Sequence, residues 1–315
     1  MRKLFVFFSL MVVAGFMAVN LTSCEDPIPV PTVKLNVQKD GHKVILTVIA
    51  TDATSFTWNY GDGKSSTADT DSHEYTYEYS GEYTITVTVT NESGSNTASE
   101  KVTIDPEPAE IIAGTPTSNP KGKTWILDKK YYAGKNGAGP LITGLPITLD
   151  FLVDNVLEAF LGLGIEYDNE FTFKYDGSLV VNNKNGISLG GTYYSYAIAQ
   201  TGPAAGFEGG MGLSGISYAP KAGGKWEFKQ GNLNLDVVIE DPANLPAGWK
   251  LGKLALTNQM YIAPTDYFGF LEITKTVLIK EITSEYMHVV FLMHGVVESG
   301  TLPSTAIHVT FIPKK

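Results

Sequence analysis

From Val33 onward the chain alternates apolar and polar residues in short runs that glycine-bearing turns interrupt. Val33, Leu35 and Val37 alternate with polar neighbours, Val44, Leu46 and Val48 repeat the pattern, and Thr84 to Val89 repeats it again. A period of two puts every apolar side chain on one face, as a half-buried strand requires and a helix does not. The interruptions are Lys39-Asp40-Gly41, Gly61-Asp62-Gly63, Ser80-Gly81 and Glu92-Ser93-Gly94. Strands this short and this regularly punctuated predict a sandwich of antiparallel sheets over residues 33–104. Apolar packing alone has to hold it, because one cysteine in 315 residues leaves no intramolecular disulfide.

Within that stretch, Phe56-Thr57-Trp58-Asn59-Tyr60-Gly61-Asp62-Gly63, followed by Gly81-Glu82-Tyr83 and the Thr84–Asn91 strand, resembles a PKD (polycystic-kidney-disease) domain. Trp58 and Tyr60 share a strand face and are expected in the core. Gly61 and Gly63 suit a turn that needs positive φ. Tyr83 can bury its ring while its hydroxyl reaches a backbone partner. One position departs from the family pattern, with Tyr75 where a histidine is usual. The resemblance implies an immunoglobulin-like sandwich that acts as a spacer or interaction module, without catalysis.

Residues 105–120 hold Pro106, Pro108, Pro116 and Pro120 among small polar residues and read as a linker. Residues 121–315 form a second β domain. It opens on the strand Gly122–Asp128. Between Thr148 and Leu163 it carries its one clear helical spacing, in Leu149, Leu152, Val153, Val156, Phe160 and Leu163, with Thr148 as N-cap. Strands then dominate: Glu170–Tyr175 into Ser178–Asn182 across Asp176-Gly177, Lys225–Lys229 into Asn232–Ile239 across Gln230-Gly231, and runs at 253–257, 271–282, 286–297 and 307–312. The fold class is therefore all-β: the sandwich, then an antiparallel β-barrel or curved sandwich with one helix. The opening Lys123–Asp128, Tyr167–Phe173, Lys225–Phe228 and the closing Phe311-Ile312-Pro313 resemble the lipocalin-like domains of Bacteroidetes lipoproteins. That resemblance implies an interior lined by Leu, Phe and Val that carries apolar ligands. The paired sheets of carbohydrate-binding modules are the other architecture this pattern allows.

The N-terminus reads as an export signal over residues 1–23: the positive Met1-Arg2-Lys3, an uncharged apolar run from Leu4 to Val19, then small residues before Cys24. The run is short of the roughly 20 residues that span a bilayer. Leu21-Thr22-Ser23-Cys24 resembles the lipobox of bacterial lipoproteins, which implies lipidation of Cys24. The following Glu25-Asp26 resembles the acidic export signal of Bacteroidetes surface lipoproteins, which implies an outer-membrane anchor facing the medium. Residues 24–32, with Pro27, Pro29 and Pro31, form a stiff tether. A net charge of −10, made more negative by loss of Arg2 and Lys3, argues against nucleic acid as a partner.

No nucleophile elbow, phosphate-binding loop or His-Glu-x-x-His occurs, and no cofactor is implied. His288 and His294 fall on one strand face about 20 Å apart, too far to share a metal. His308 brings no carboxylate with it. Asp69 and Asp71 near Asp62 read as a polar loop, with Ca²⁺ the lesser alternative. Glu166, Asp168, Glu170, Glu240 and Asp241 read as solvated strand ends, although a glycosidase would need such a carboxyl pair. Aromatic residues carry the rest. Trp125 and Trp226 alternate with apolar partners and belong in the core. Trp249 stands in a Pro/Gly loop, and Tyr193, Tyr194 and Tyr196 stand between glycine-rich stretches, where loops carry function. Sugar rings stack on exposed indole and phenol faces, so these four are the candidate ligand contacts. Together the features predict non-catalytic capture of polysaccharide or oligosaccharide for an outer-membrane transporter.

Overall fold

The computed structural model describes residues 27–68, 71–140, 156–200, 213–240, 249–262, 266–294 and 301–315. The leader, Cys24, Glu25, Asp26 and residues 148–155 of the expected helix lie outside the described residues. The chain divides into two compact units, Met1–Ile104 and Asp105–Lys315.

The first unit has seven strands: β1 Thr32–Asp40, β2 Lys43–Thr51, β3 Ser55–Asn59, β4 Ser65–Ala68, β5 Ser72–Thr76, β6 Gly81–Asn91 and β7 Gly94–Ile104. They form two antiparallel sheets, ordered β1-β2-β5 and β4-β3-β6-β7. The alternating residues meet between them: Leu35, Val44, Leu46 and Val48 from one sheet, and Trp58, Ile85, Val87 and Val89 from the other. The turn glycines Gly61 and Gly63 sit at φ 81° and 88°. A Cβ on Gly61 would come within 2.7 Å of the Thr84 carbonyl, so side chains are excluded there on two grounds. Tyr83 buries much of its ring and donates to the Tyr79 carbonyl. Tyr75, the departure from the family pattern, stacks on Tyr60 at 3.7 Å and donates to Asp62 at 2.5 Å. The other Asp62 oxygen accepts from the Lys64 amide, so both oxygens serve the turn.

The second unit begins earlier than a linker at 105–120 would allow. Helix α1, Pro108–Ala113, starts with Glu107 and Glu110 in a reciprocal capping box and with proline at its first turn. Ile112 and Ala113 are buried in the core of this unit. The Trp125 indole N–H donates to the Ile112 carbonyl at 2.7 Å, and the Lys123 ammonium donates to that of Ile111 at 3.0 Å. The prolines start and stop this short helix, which is why their density suggested a linker.

The barrel strands are β8 Lys123–Leu127, β10 Glu170–Phe173, β11 Ser178–Asn182, β14 Gly224–Glu240, β15 Trp249–Ile262, β16 Thr276–Ile282, β17 Met287–Met293 and β18 Thr305–Pro313. Each pairs antiparallel with the next, and β18 pairs back onto β8, so the ring closes in strict chain order. This is an eight-stranded up-and-down barrel, and closure removes the sheet edges. β9, Gly137–Pro140, extends the β8 side along β18, and β12 Ile187–Gly191 and β13 Leu213–Ser217 form a separate two-stranded sheet. Among the described residues, helix α2 covers Val156–Leu161, with Leu157 and Leu161 buried.

Two expectations need correcting. Gln230-Gly231 is a β-bulge inside the continuous strand β14 rather than a hairpin turn. The glycine-rich stretch around Gly186–Gly191 forms strand β12. Among the described residues, aromatic side chains pack together inside the barrel: the Phe268 ring lies 5.1 Å from those of Phe171 and Phe173 and 4.4 Å from that of Phe311.

Candidate functional site at the loop end of the barrel

In an up-and-down barrel alternate connections leave from opposite ends. Here the connections after β9, β11, β15 and β17 share one end and are long. The other end has the tight turns 174–177 and 283–286 and the tip of the β14–β15 hairpin. Barrel mouths are common ligand sites, and the loop end gathers most of the buried polar chemistry of this unit.

Two buried acids stand beside the β12–β13 sheet there, and Glu166 bonds it. Glu166, in a 3₁₀ turn over Leu163–Asp168, accepts the Leu189 amide and the Asn169 side chain, both at 3.0 Å. Burial pushes its carboxyl up to about 8, against those two hydrogen bonds. Glu272 accepts the His294 backbone N–H at 3.0 Å and faces His294 Nδ1 at 2.5 Å. His294 Nε2 donates to the Thr301 carbonyl at 3.0 Å, so ring and carboxyl share one proton on the Nδ1 side. Any side chain at position 191 would run into Glu272, and so the strand passes as glycine. Leu271 N–H donates to the Leu189 carbonyl at 2.7 Å, which ties β12 to the β15–β16 connection.

Around this scaffold stand the tyrosines. A π-helical turn over Tyr194–Ile198 closes through Ala199 N–H to the Tyr194 carbonyl at 2.8 Å. Such turns often mark functional positions. Gln200 follows at φ 55°, a left-handed conformation that residues other than glycine rarely adopt. Tyr193 donates its backbone N–H to the His294 carbonyl and sets its ring 6.3 Å from the imidazole. Tyr194 packs against the barrel core, and burial, then Glu272, pushes its phenol up. Tyr196 is 55% exposed and Ile198 50%. Tyr218 rests edge-on against Tyr267 at 5.3 Å and is pushed up to about 12 by burial and then by Asp266. Asp266 itself is pushed up to about 6 by burial, and its Oδ2 has no hydrogen-bond partner.

The structure thus brings Tyr193, Tyr194 and Tyr196 to one end of the barrel. It separates Trp249 from them, because that residue opens β15 opposite Glu240 in the connection that leaves from the other end. Trp249 therefore lies in a strand rather than a loop, and its side chain is outside the described residues. The acids read as solvated divide as well. Glu166 is buried, Asp168 is exposed, and Lys184 and Lys314 hold Glu170 at 3.0 and 2.6 Å. Asp241 is outside the described residues. His288 bonds Thr310 Oγ1 at 2.6 Å and both ring nitrogens of His308 lack partners. Among the described residues no three His, Cys, Asp or Glu converge as metal ligands. Sequence reasoning missed Glu272 as the partner of His294, since 22 residues separate them. The arrangement gathers phenol rings and buried acids at one end of the barrel.

A family model described as PKD domain matches residues 26–105. The N-terminal unit is accordingly a PKD domain. No curated protein matches the chain. Among solved structures, the PKD1 domain of Vibrio anguillarum Epp is 24% identical, over 25% of this chain and 98% of that one, with a TM-score of 0.23. The PKD1 domain of the Vibrio cholerae metalloprotease PrtV is 26% identical, over 24% and 99%, also at 0.23. A carbohydrate-binding module of the β-sandwich superfamily, described for its promiscuous specificity, aligns over 91% of this chain and 92% of its own at 11% identity and a TM-score of 0.26. These alignments are too loose to transfer a function.

Proposed function

We propose that the protein is a non-catalytic receptor for polysaccharide or oligosaccharide, lipid-anchored through Cys24 on the outer surface of the outer membrane. It would hand its ligand to a transporter there. The observation that carries the binding reading is Tyr196, exposed on a π turn beside Tyr193 and Tyr194, with the half-buried Tyr218 at the same end of the barrel. A pyranose presents a C–H face that stacks on such a ring, and its hydroxyls meet polar groups at the rim. Glu166 and Glu272 are held by amide and imidazole groups, which suits a supporting role better than proton transfer to a substrate. The lipobox-like Leu21–Cys24 and the tether after it support the anchoring.

The test is native electrophoresis through gels containing amylopectin, xyloglucan, galactomannan or laminarin. At least one should retard the Cys24→Ser protein, which lacks only the anchor, and Tyr196→Ala should weaken that retardation about tenfold, as loss of a central aromatic contact does. Normal migration in all four gels, or release of reducing sugar from any of them, would overturn the reading.

A further inference from the structure

The outer wall of the barrel carries a concavity on β14 and β15. Its origin is the bulge in β14. Gln230 pairs with Asn258 and Leu233 with Leu256, so residues 231 and 232 face one residue of β15. Gly231 takes φ 119° to allow it. A bulge bends its strand and re-aims neighbouring side chains. Beyond it, Leu235 and Val237 pack with Val290, Leu292 and Ala306 on the outer face of β17 and β18. β15 pairs with β16 only over Gln259–Tyr261, so the hairpin peels away from the wall at that point.

The bend leaves a groove of about 450 Å³ lined by Glu227, Phe228, Lys229, Leu233, Gln259 and Tyr261, among others. Cross-strand pairing puts Glu227 opposite Tyr261, and Lys229 opposite Gln259, on the same face. Tyr261 is half-buried, and the Lys229 ammonium stands 4.8 Å from its ring centre. The same ammonium lies 3.3 Å from Glu227 Oε2, so the pair is neutralised beside the ring. Gln259 is 3% exposed; its amide nitrogen donates to the Gly231 carbonyl at 3.2 Å, but its oxygen has no partner. A buried amide oxygen left without a donor is costly and is rare in native proteins.

We propose that this groove is a second saccharide subsite, with Tyr261 stacking against a sugar ring and Gln259 accepting a hydroxyl. The lining selects that class. The Glu227–Lys229 pair leaves no net charge to hold an anion. An open groove floored by an amide suits an apolar ligand poorly. The Tyr261 ring among donors and acceptors matches a neutral polyol with one C–H face. The inference deepens the proposed function and rests on it: two subsites on one barrel would let the receptor grip a chain rather than a single residue.

The same gels test it, in the polysaccharide that retards the Cys24→Ser protein. In that background Tyr261→Ala should weaken retardation about fivefold and Tyr261→Phe, which keeps the ring, should stay within about twofold. Gln259→Leu keeps the volume, removes the acceptor and should cost about threefold. Combined with Tyr196→Ala, Tyr261→Ala should abolish retardation. If Tyr261→Ala and Gln259→Leu both migrate as the parent does while Tyr196→Ala is impaired, the groove is not a subsite and the proposed function stands. If no polysaccharide retards the parent, both readings fail.

Discussion

The sandwich and the barrel are built from the same alternating strands but treat polar groups in opposite ways. In the sandwich the buried hydroxyls make short local bonds: Tyr77 to the Tyr60 carbonyl, Tyr83 to that of Tyr79, and Tyr75 to Asp62 in the turn. Its described carboxylates and ammonium groups stay at or near the surface. In the barrel, Glu166, Asp266, Glu272, His294 and His308 are all nearly or fully buried. Burying ionisable groups costs stability, and proteins tolerate that cost mainly where function needs a shaped, polar site. The proposed division, spacing by the first unit and recognition by the second, rests on this difference.

The largest test of that division is Trp58→Ala. The ring is fully buried in the sandwich, and its loss should cost about 3–5 kcal/mol. Calorimetry should show one transition, that of the PKD domain, moving to lower temperature while the barrel transition and polysaccharide retardation stay unchanged. Movement of both transitions would show that the units do not melt separately.

A smaller effect comes from pH. Glu166 goes from an ordinary 4.5 to about 8 in the folded barrel. A raised carboxyl favours the fold while protonated: its contribution is complete below 4.5 and is lost as pH rises through about 8. The barrel should therefore lose on the order of 5 kcal/mol across that range, and Glu166→Gln should remove the loss. His308, brought down to about 4 by burial and then Lys280, has the opposite sign, favouring the fold above 6.5 and losing that contribution as pH falls toward 4. Only the difference between parent and variant isolates Glu166. Chemical denaturation at a series of pH values measures it. An unchanged pH profile in Glu166→Gln would mean that the carboxyl is ionised in the fold.

The sandwich was legible because each of its signals is local. Trp58 and Tyr60 lie two residues apart on one strand, and Gly61 and Gly63 flank its turn. The barrel strands were legible for the same reason, through runs such as Glu170–Phe173 and Ser178–Asn182. What failed to show was set by partners far away in sequence. Gln230-Gly231 carries the same residue signal whether it turns a hairpin or bulges a strand, and only the pairing of Leu233 with Leu256 decides. The prolines around α1 look like those of a linker until Trp125 reaches back to the Ile112 carbonyl. Of the candidate contacts, the three tyrosines are near one another in sequence and stay together in space. Trp249 looked loop-borne because Pro246 and Gly248 precede it, but it begins a strand.

Hydrogen exchange of the Cys24→Ser protein, with and without the polysaccharide that retards it, tests the division of labour most directly. Added ligand should slow exchange at the loop end of the barrel, in residues 192–200, 213–218 and 266–273, and leave 27–104 unchanged. Protection confined to the PKD domain, or none in the barrel, would contradict the account.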